Sequence, residues 1–224
     1  MTRARNELSH PTDGTSMLVK AHRRNALLLL VFLCLHFGTH LAAPFGPEVH
    51  ALVLKVVRPA YRPYFIELLL LASIVMQTIL GFALVIRRLR LGTDRRWGIV
   101  QVGSGLYLLV FLSVHVSAAL LARYQSGLDT NFWWPASTLA RAATAWFFYP
   151  YYFLAISALF WHFAAALSFR KTSTRTVWGL VVTGPLLALV VLSGYGGWFR
   201  ELVVPQLYYQ SLDRTVAPVN SAKE

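Results

Sequence analysis

Five apolar stretches, each bounded by polar or basic residues, dominate the hydrophobic pattern of the chain. They run over about 26–43, 64–86, 98–121, 147–167 and 177–192. Each approaches the roughly 20 residues a helix needs to cross about 30 Å of hydrocarbon. In lipid every backbone N–H and C=O must be satisfied within the protein, so runs of this length predict helices. The alternation of apolar and polar positions that marks barrel strands is absent. The expected fold is all-α, a polytopic membrane helical bundle of about five transmembrane helices. Residues 1–22 read as a disordered N-terminal tail, 23–195 as the transmembrane helical domain and 196–224 as a C-terminal tail. The first span is expected to be retained rather than cleaved as a signal peptide, because His40 and Leu41 stand where cleavage wants small side chains. Pro185 lies inside the fifth span and predicts a bend there.

Composition sharpens this picture. Of 224 residues, 56% are apolar and 13% charged, where a soluble domain carries about 25% charged residues. The net charge of +12 does not point to nucleic acid, because the basic residues cluster beside the apolar spans, as at Lys20, Arg23, Arg24 and at Arg87, Arg88, Arg90, Arg95, Arg96. Clusters in that position orient helices and meet lipid headgroups. With the N-terminus cytoplasmic, thirteen Lys and Arg fall on the cytoplasmic side and eight opposite, which predicts a multi-pass protein of the bacterial inner membrane with its N-terminus inside. The lipid bilayer is the expected partner. Trp133, Trp134, Tyr149, Tyr151, Tyr152, Tyr195 and Trp198 fall near span ends and read as an interfacial belt. The lone Cys34 reads as a small buried hydrophobe, and Glu67 is the carboxylate best placed beside a span, with Arg62 as its expected partner.

An internal repeat is legible. Residues 29–36, Leu-Leu-Val-Phe-Leu-Cys-Leu-His, match residues 108–115, Leu-Leu-Val-Phe-Leu-Ser-Val-His, at six of eight positions, with His36 on His115. The following spans open on Tyr61, Pro63, Tyr64, Phe65 and on Tyr149, Pro150, Tyr151, Tyr152, Phe153, and further along Gln77 aligns with His162. The unit is a two-helix hairpin used twice, with one extra helix at the end. Such a duplication gives a pseudo-two-fold axis along the membrane normal.

The histidines carry the candidate chemistry, since an ionisable residue within a span is expensive and marks function by default. His36 and His115 lie at similar depth and are related by the repeat, so they are expected to face each other. Two opposed imidazoles suit the axial positions of a haem iron, and bundle cores house cofactors this way. Ser104 and Gly105 are expected to give a macrocycle room beside His115. His40, one turn after His36, is expected near the interface, with a substitute role as ligand on the same face. Gln77 and His162 mark a polar inner cavity, and Gln77 argues against a second bis-His haem. The opposing interpretation of every one of these histidines is an interhelical hydrogen bond. Paired carboxylates, a nucleophile with a base and a phosphate-cradling loop are all missing from the sequence, so the chain is not expected to catalyse a reaction alone.

Ser104-Gly105 followed by Phe111-Leu112-Ser113-Val114-His115, with Phe32-Leu33-Cys34-Leu35-His36 repeating its second half, resembles the haem-ligating pattern of the cytochrome b-type membrane subunits of succinate dehydrogenase and fumarate reductase. The resemblance covers roughly residues 25–170. It implies a haem b held by His36 and His115, a quinone, and a redox partner subunit to or from which electrons pass. The chain is also similar to mitochondrial adapter membrane proteins of that fold, through Tyr61-Arg62 before one helix. That likeness implies a haem-free scaffold or adapter in lipid or envelope homeostasis as the alternative function. Gln77 in place of a histidine, and the extra helix at the end rather than the middle, depart from the respiratory pattern.

Overall fold

The computed structural model describes residues 13–92 and 96–210. Among the described residues the α-helices are, in order, α1 Asp13–His40, α2 Pro47–Val57, α3 Tyr64–Leu91, α4 Arg96–Tyr124, α5 Trp133–Ala140, α6 Ala142–Ser168 and α7 Thr174–Tyr195, and residues 206–210 are also helical. Five of them, α1, α3, α4, α6 and α7, are long and apolar enough to cross a membrane, and the chain is a multi-pass membrane protein. The described residues contain no strand. Each spanning helix begins where its apolar run was expected or earlier, and α1 starts at Asp13, so residues 13–22 extend the first helix instead of forming a tail. The tails expected over 1–12 and 211–224 lie outside the described residues. Residues 196–210 return to the bundle, where Tyr208 donates a hydrogen bond from its hydroxyl to the Asp129 carbonyl at 3.1 Å.

Two short helices, α2 and α5, sit at one end of the bundle. Gly46, at φ 106°, supplies a left-handed turn that only glycine adopts cheaply, and Pro47 then opens α2 with the preset φ of a first helical residue. His50 and Leu54, four residues apart, form the buried side of α2. The far end carries the N-terminal part of α1, the end of α3 and the start of α4, and there Trp97 meets Trp178 with ring centres 6.0 Å apart.

The most extensive packing joins α6 to α7, followed by α4 with α6, α1 with α3, and α3 with α4. Small residues allow the α6–α7 approach. A methyl group on Gly184 would stand 2.7 Å from Phe160 Cβ and 3.3 Å from Ser157 Cα. Next to it, Pro185 has no N–H to give the Val181 carbonyl one turn earlier. The Trp161 indole N–H from α6 donates to that carbonyl at 3.1 Å, so the proline break becomes an interhelical bond. Gly194, at the end of α7, lies against the Ala43–Pro44 backbone and ties α7 to the loop after α1. On the outside, α3 has no buried residue and exposes Leu68, Leu69, Val75 and Ile79, as a face in hydrocarbon should. Cys34 is exposed on the same kind of surface, which corrects the expectation of a buried thiol; burial is decided by which side of α1 faces its neighbours, and apolar composition alone does not report that.

Replacing Gly184 with Val should lower the thermal transition by the equivalent of about 1–3 kcal/mol, because the interface has no space to yield. Gly179→Ala, inside the same helix where a new methyl meets nothing within 4 Å, should instead raise it by the equivalent of about 0.5–1 kcal/mol, the helix propensity gained. Thermal unfolding of both variants in one detergent checks the pair.

Candidate functional site

Near the α2–α5 end, side chains from five helices converge inside the bundle. Phe32 and His36 on α1 stack with ring centres 5.3 Å apart, and Phe111 and His115 on α4 stack at 5.1 Å. Each pair is separated by one helical turn, so the repeated sequence produces the same local device twice. The two imidazoles face each other, with ring centres 6.2 Å apart and planes inclined at 66°. His115 is backed by Trp134 of α5, at 5.7 Å. The repeat thus brings His36 and His115 together at one depth.

His40 does not end at the interface. Its Nε2 lies 3.1 Å from His36 Nε2, and its Nδ1 lies 2.6 Å from the Tyr195 hydroxyl of α7. That hydroxyl also stands 3.0 Å from His50 Nε2 on α2. Tyr195 is only 3% exposed, which removes it from the interfacial belt. A hydroxyl has one proton, so Tyr195 donates to one imidazole and accepts from the other, and the tautomers of His40 and His50 are coupled through it. His50 was not singled out by the sequence reading, although its spacing from Leu54 along an amphipathic segment was an available signal. Desolvation, then the Arg58 charge and then His36, lower the His50 pKa to about 4.

The remaining candidates assemble elsewhere. Ser104 and Gly105 flank His162, away from His115: the Ser104 hydroxyl is 3.2 Å from His162 Nδ1, and a methyl on Gly105 would stand 3.1 Å from its Cε1. Ser104 also donates to the Val100 carbonyl at 2.6 Å. Gln77 is held by α1, its Oε1 accepting from Asn25 Nδ2 at 2.8 Å and its Nε2 lying 3.2 Å from His22 Nε2. Asn25 also donates to the Ser73 carbonyl at 2.8 Å. His22 and Asn25 escaped the sequence reading because they precede the apolar run, in a stretch assigned to the tail and its boundary. At this level an imidazole is contributed by α1 and another by α6, each bonded to a neighbouring helix. The expected Glu67–Arg62 pair is also corrected. Arg123, at the end of α4, makes a two-pronged ion pair with Glu67 of α3; the two groups face each other across adjacent helices, a relation that spacing along the chain cannot give.

The opposed pair can be tested for fit. Two imidazoles on one metal have ring centres about 6 Å apart, since each metal–nitrogen bond is about 2.0 Å and each nitrogen lies roughly 1.1 Å from its ring centre. The His36–His115 separation meets that figure. Among the described residues no group of three or more His, Cys, Asp or Glu is arranged to hold a bare metal ion. An iron already held by four macrocycle nitrogens needs only two axial donors. One feature competes, because His36 Nε2 already has a partner in His40. No family model, no curated protein and no solved structure matches the chain.

His50 gives a pH signature with a definite sign. Its folded pKa lies below the unfolded value, so the unfolded state binds more protons between the two. Stability should be intact above about pH 6.5 and should fall as the pH drops towards about 4. His50→Gln should flatten that part of the profile of melting temperature against pH. An unchanged slope would assign the loss to other groups.

Proposed function

We propose that the chain is a membrane-embedded b-type cytochrome-like protein in which His36 and His115 are the axial ligands of a haem b. The observation that carries the reading is the 6.2 Å separation of two imidazoles from repeated segments, each stacked on its own phenyl ring and inclined to the other at 66°. A haem held there would accept and release single electrons within the bilayer. The phenyl rings of Phe32 and Phe111 fix the planes of the two ligands, and Trp134 closes one side of His115. His40 and His50 both bond the Tyr195 hydroxyl, which ties the surroundings of the ligands to α7. The proposal includes a quinone and a redox partner subunit as the electron donor and acceptor, with electron transfer or membrane anchoring as the role. It also includes the bacterial inner membrane and a cytoplasmic N-terminus, supported by the bias of Lys and Arg.

A second reading is favoured by a different observation. His36 Nε2 has one lone pair or one proton, and the contact with His40 Nε2 at 3.1 Å uses it within the protein. If that contact persists, the cluster is an interhelical clamp, and the chain acts as a haem-free scaffold or adapter in lipid or envelope homeostasis. Interhelical hydrogen bonds of this kind contribute about 0.6–2 kcal/mol each.

An optical spectrum of protein purified from haem-replete cells, oxidised and then dithionite-reduced, separates the two. The cytochrome reading expects a low-spin b-type spectrum that disappears in both His36→Ala and His115→Ala and survives in His40→Ala. Absence of haem from the folded wild type would sink that reading and favour the scaffold. Loss in His40→Ala with retention in His36→Ala would move the ligand one turn along α1.

A further inference from the structure

The α2–α5 end carries a second feature that the histidine cluster does not use. Helix α2 buries His50 and Leu54 but exposes Val49, Leu52 and Val56, the last two at 64% and 74%. An apolar stripe on a short helix beside the ends of the spans is the mark of a helix lying in the membrane interface. Behind it, basic residues gather at headgroup level: Lys55 on α2, Arg58 and Arg62 in the link to α3, and Arg123 at the end of α4. Arg58 is paired with Asp129 at 2.8 Å, and Arg123 with Glu67. Lys55 and Arg62 make no ion pair among the described residues. Burial first, and then the charges of Arg123 and Arg58, push Arg62 below the usual arginine range, so positive charge is locally in excess. A groove of about 470 Å³ opens there, lined by Leu54, Lys55, Arg58, Pro59, Arg62 and Asp129 among others, with more apolar than polar wall.

We propose that this groove binds an anionic phospholipid, its phosphate held by Lys55 and Arg62 and its acyl chains leaving along Leu54, Pro59 and the apolar stripe of α2. The occupant follows from three properties found together. The site lies at the interface, its unpaired charge is positive, and its wall is apolar. A free phosphate satisfies only the charge, and a zwitterionic lipid carries its own cation into a place that already has too many. Arg58, held by Asp129, serves to position the rim and leaves the phosphate to its two neighbours.

Native mass spectrometry of the full chain in detergent tests this, with phosphatidylglycerol and phosphatidylcholine titrated separately. Wild type should retain phosphatidylglycerol roughly tenfold more tightly, in keeping with two basic side chains at a headgroup, and the preference should shrink as salt rises. Lys55→Gln with Arg62→Gln should bring the two lipids level. Arg170→Gln with Arg175→Gln, at the other end of the bundle, should change nothing. Should the first double variant fail to fold, the salt series on wild type decides alone, and a salt-independent preference overturns the proposal. Equal binding of both lipids by wild type, or an unaltered preference in Lys55→Gln with Arg62→Gln, also overturns it. Displacement of phosphatidylglycerol by inorganic phosphate would reduce the site to an anion site. Displacement by added haem would give the two cations to the haem carboxylates. Either result rejects the lipid.

Discussion

Inside hydrocarbon a polar side chain has no water to return to, so its donors and acceptors must find partners on neighbouring helices or remain unsatisfied at a cost of several kcal/mol. That requirement organises this bundle. The spans expose many large apolar side chains, and much of their interior polarity is collected into two levels. At one, His36, His40, Tyr195 and His50 link α1, α7 and α2 through successive contacts of 3.1, 2.6 and 3.0 Å. At the other, Asn25 and His22 lock onto Gln77 while Ser104 meets His162. These groups add direction to the apolar packing, because lipid tails compete with apolar side chains for contact and cannot replace an interhelical hydrogen bond.

Backbone defects obey the same rule. A proline in the middle of α7 would strand the Val181 carbonyl, yet Trp161 reaches it from α6, beside the glycine that lets the two helices touch. The α6–α7 pair is consequently the most extensively packed among the described helices. Tyr195, standing at its end, has a fixed platform from which to bridge His40 and His50. Gly194, next to it, brings the same platform against the loop after α1, so the position of the tyrosine and the path of that loop are set together.

The five spans were legible because crossing hydrocarbon imposes a length and a composition that nothing else in the chain imitates. The repeat was legible through a histidine inside an apolar run, and it correctly brought His36 opposite His115. The short helices α2 and α5 were not anticipated, since eleven and eight residues between spans lack a signal that separates them from loop. His50 was lost with α2. His22 and Asn25 were lost because a helix may extend beyond its apolar run, here from residue 26 back to Asp13, and polar composition alone resembles a tail. Which partner Glu67 takes, and which side Cys34 faces, depend on helix rotation. Rotation is set by neighbours distant in sequence, and the pattern of each span was too uniformly apolar to reveal it.

A hairpin paired with an identical copy must present the same residue from both sides at every depth. The joined chain keeps that equality in one ring pair, where an imidazole stacked on a phenyl ring meets another of the same construction. Around that pair the halves have parted company: His36 leads through His40 and Tyr195 to His50, whereas His115 is backed by Trp134. At the other depth they differ outright, one offering His22 and Gln77, the other Ser104 and His162. An equal pair cannot tell left from right around the bundle axis, whereas an unequal set can. The molecule therefore has a front and a back at both levels, a distinction open to a fused pair of hairpins and closed to a symmetric dimer of them.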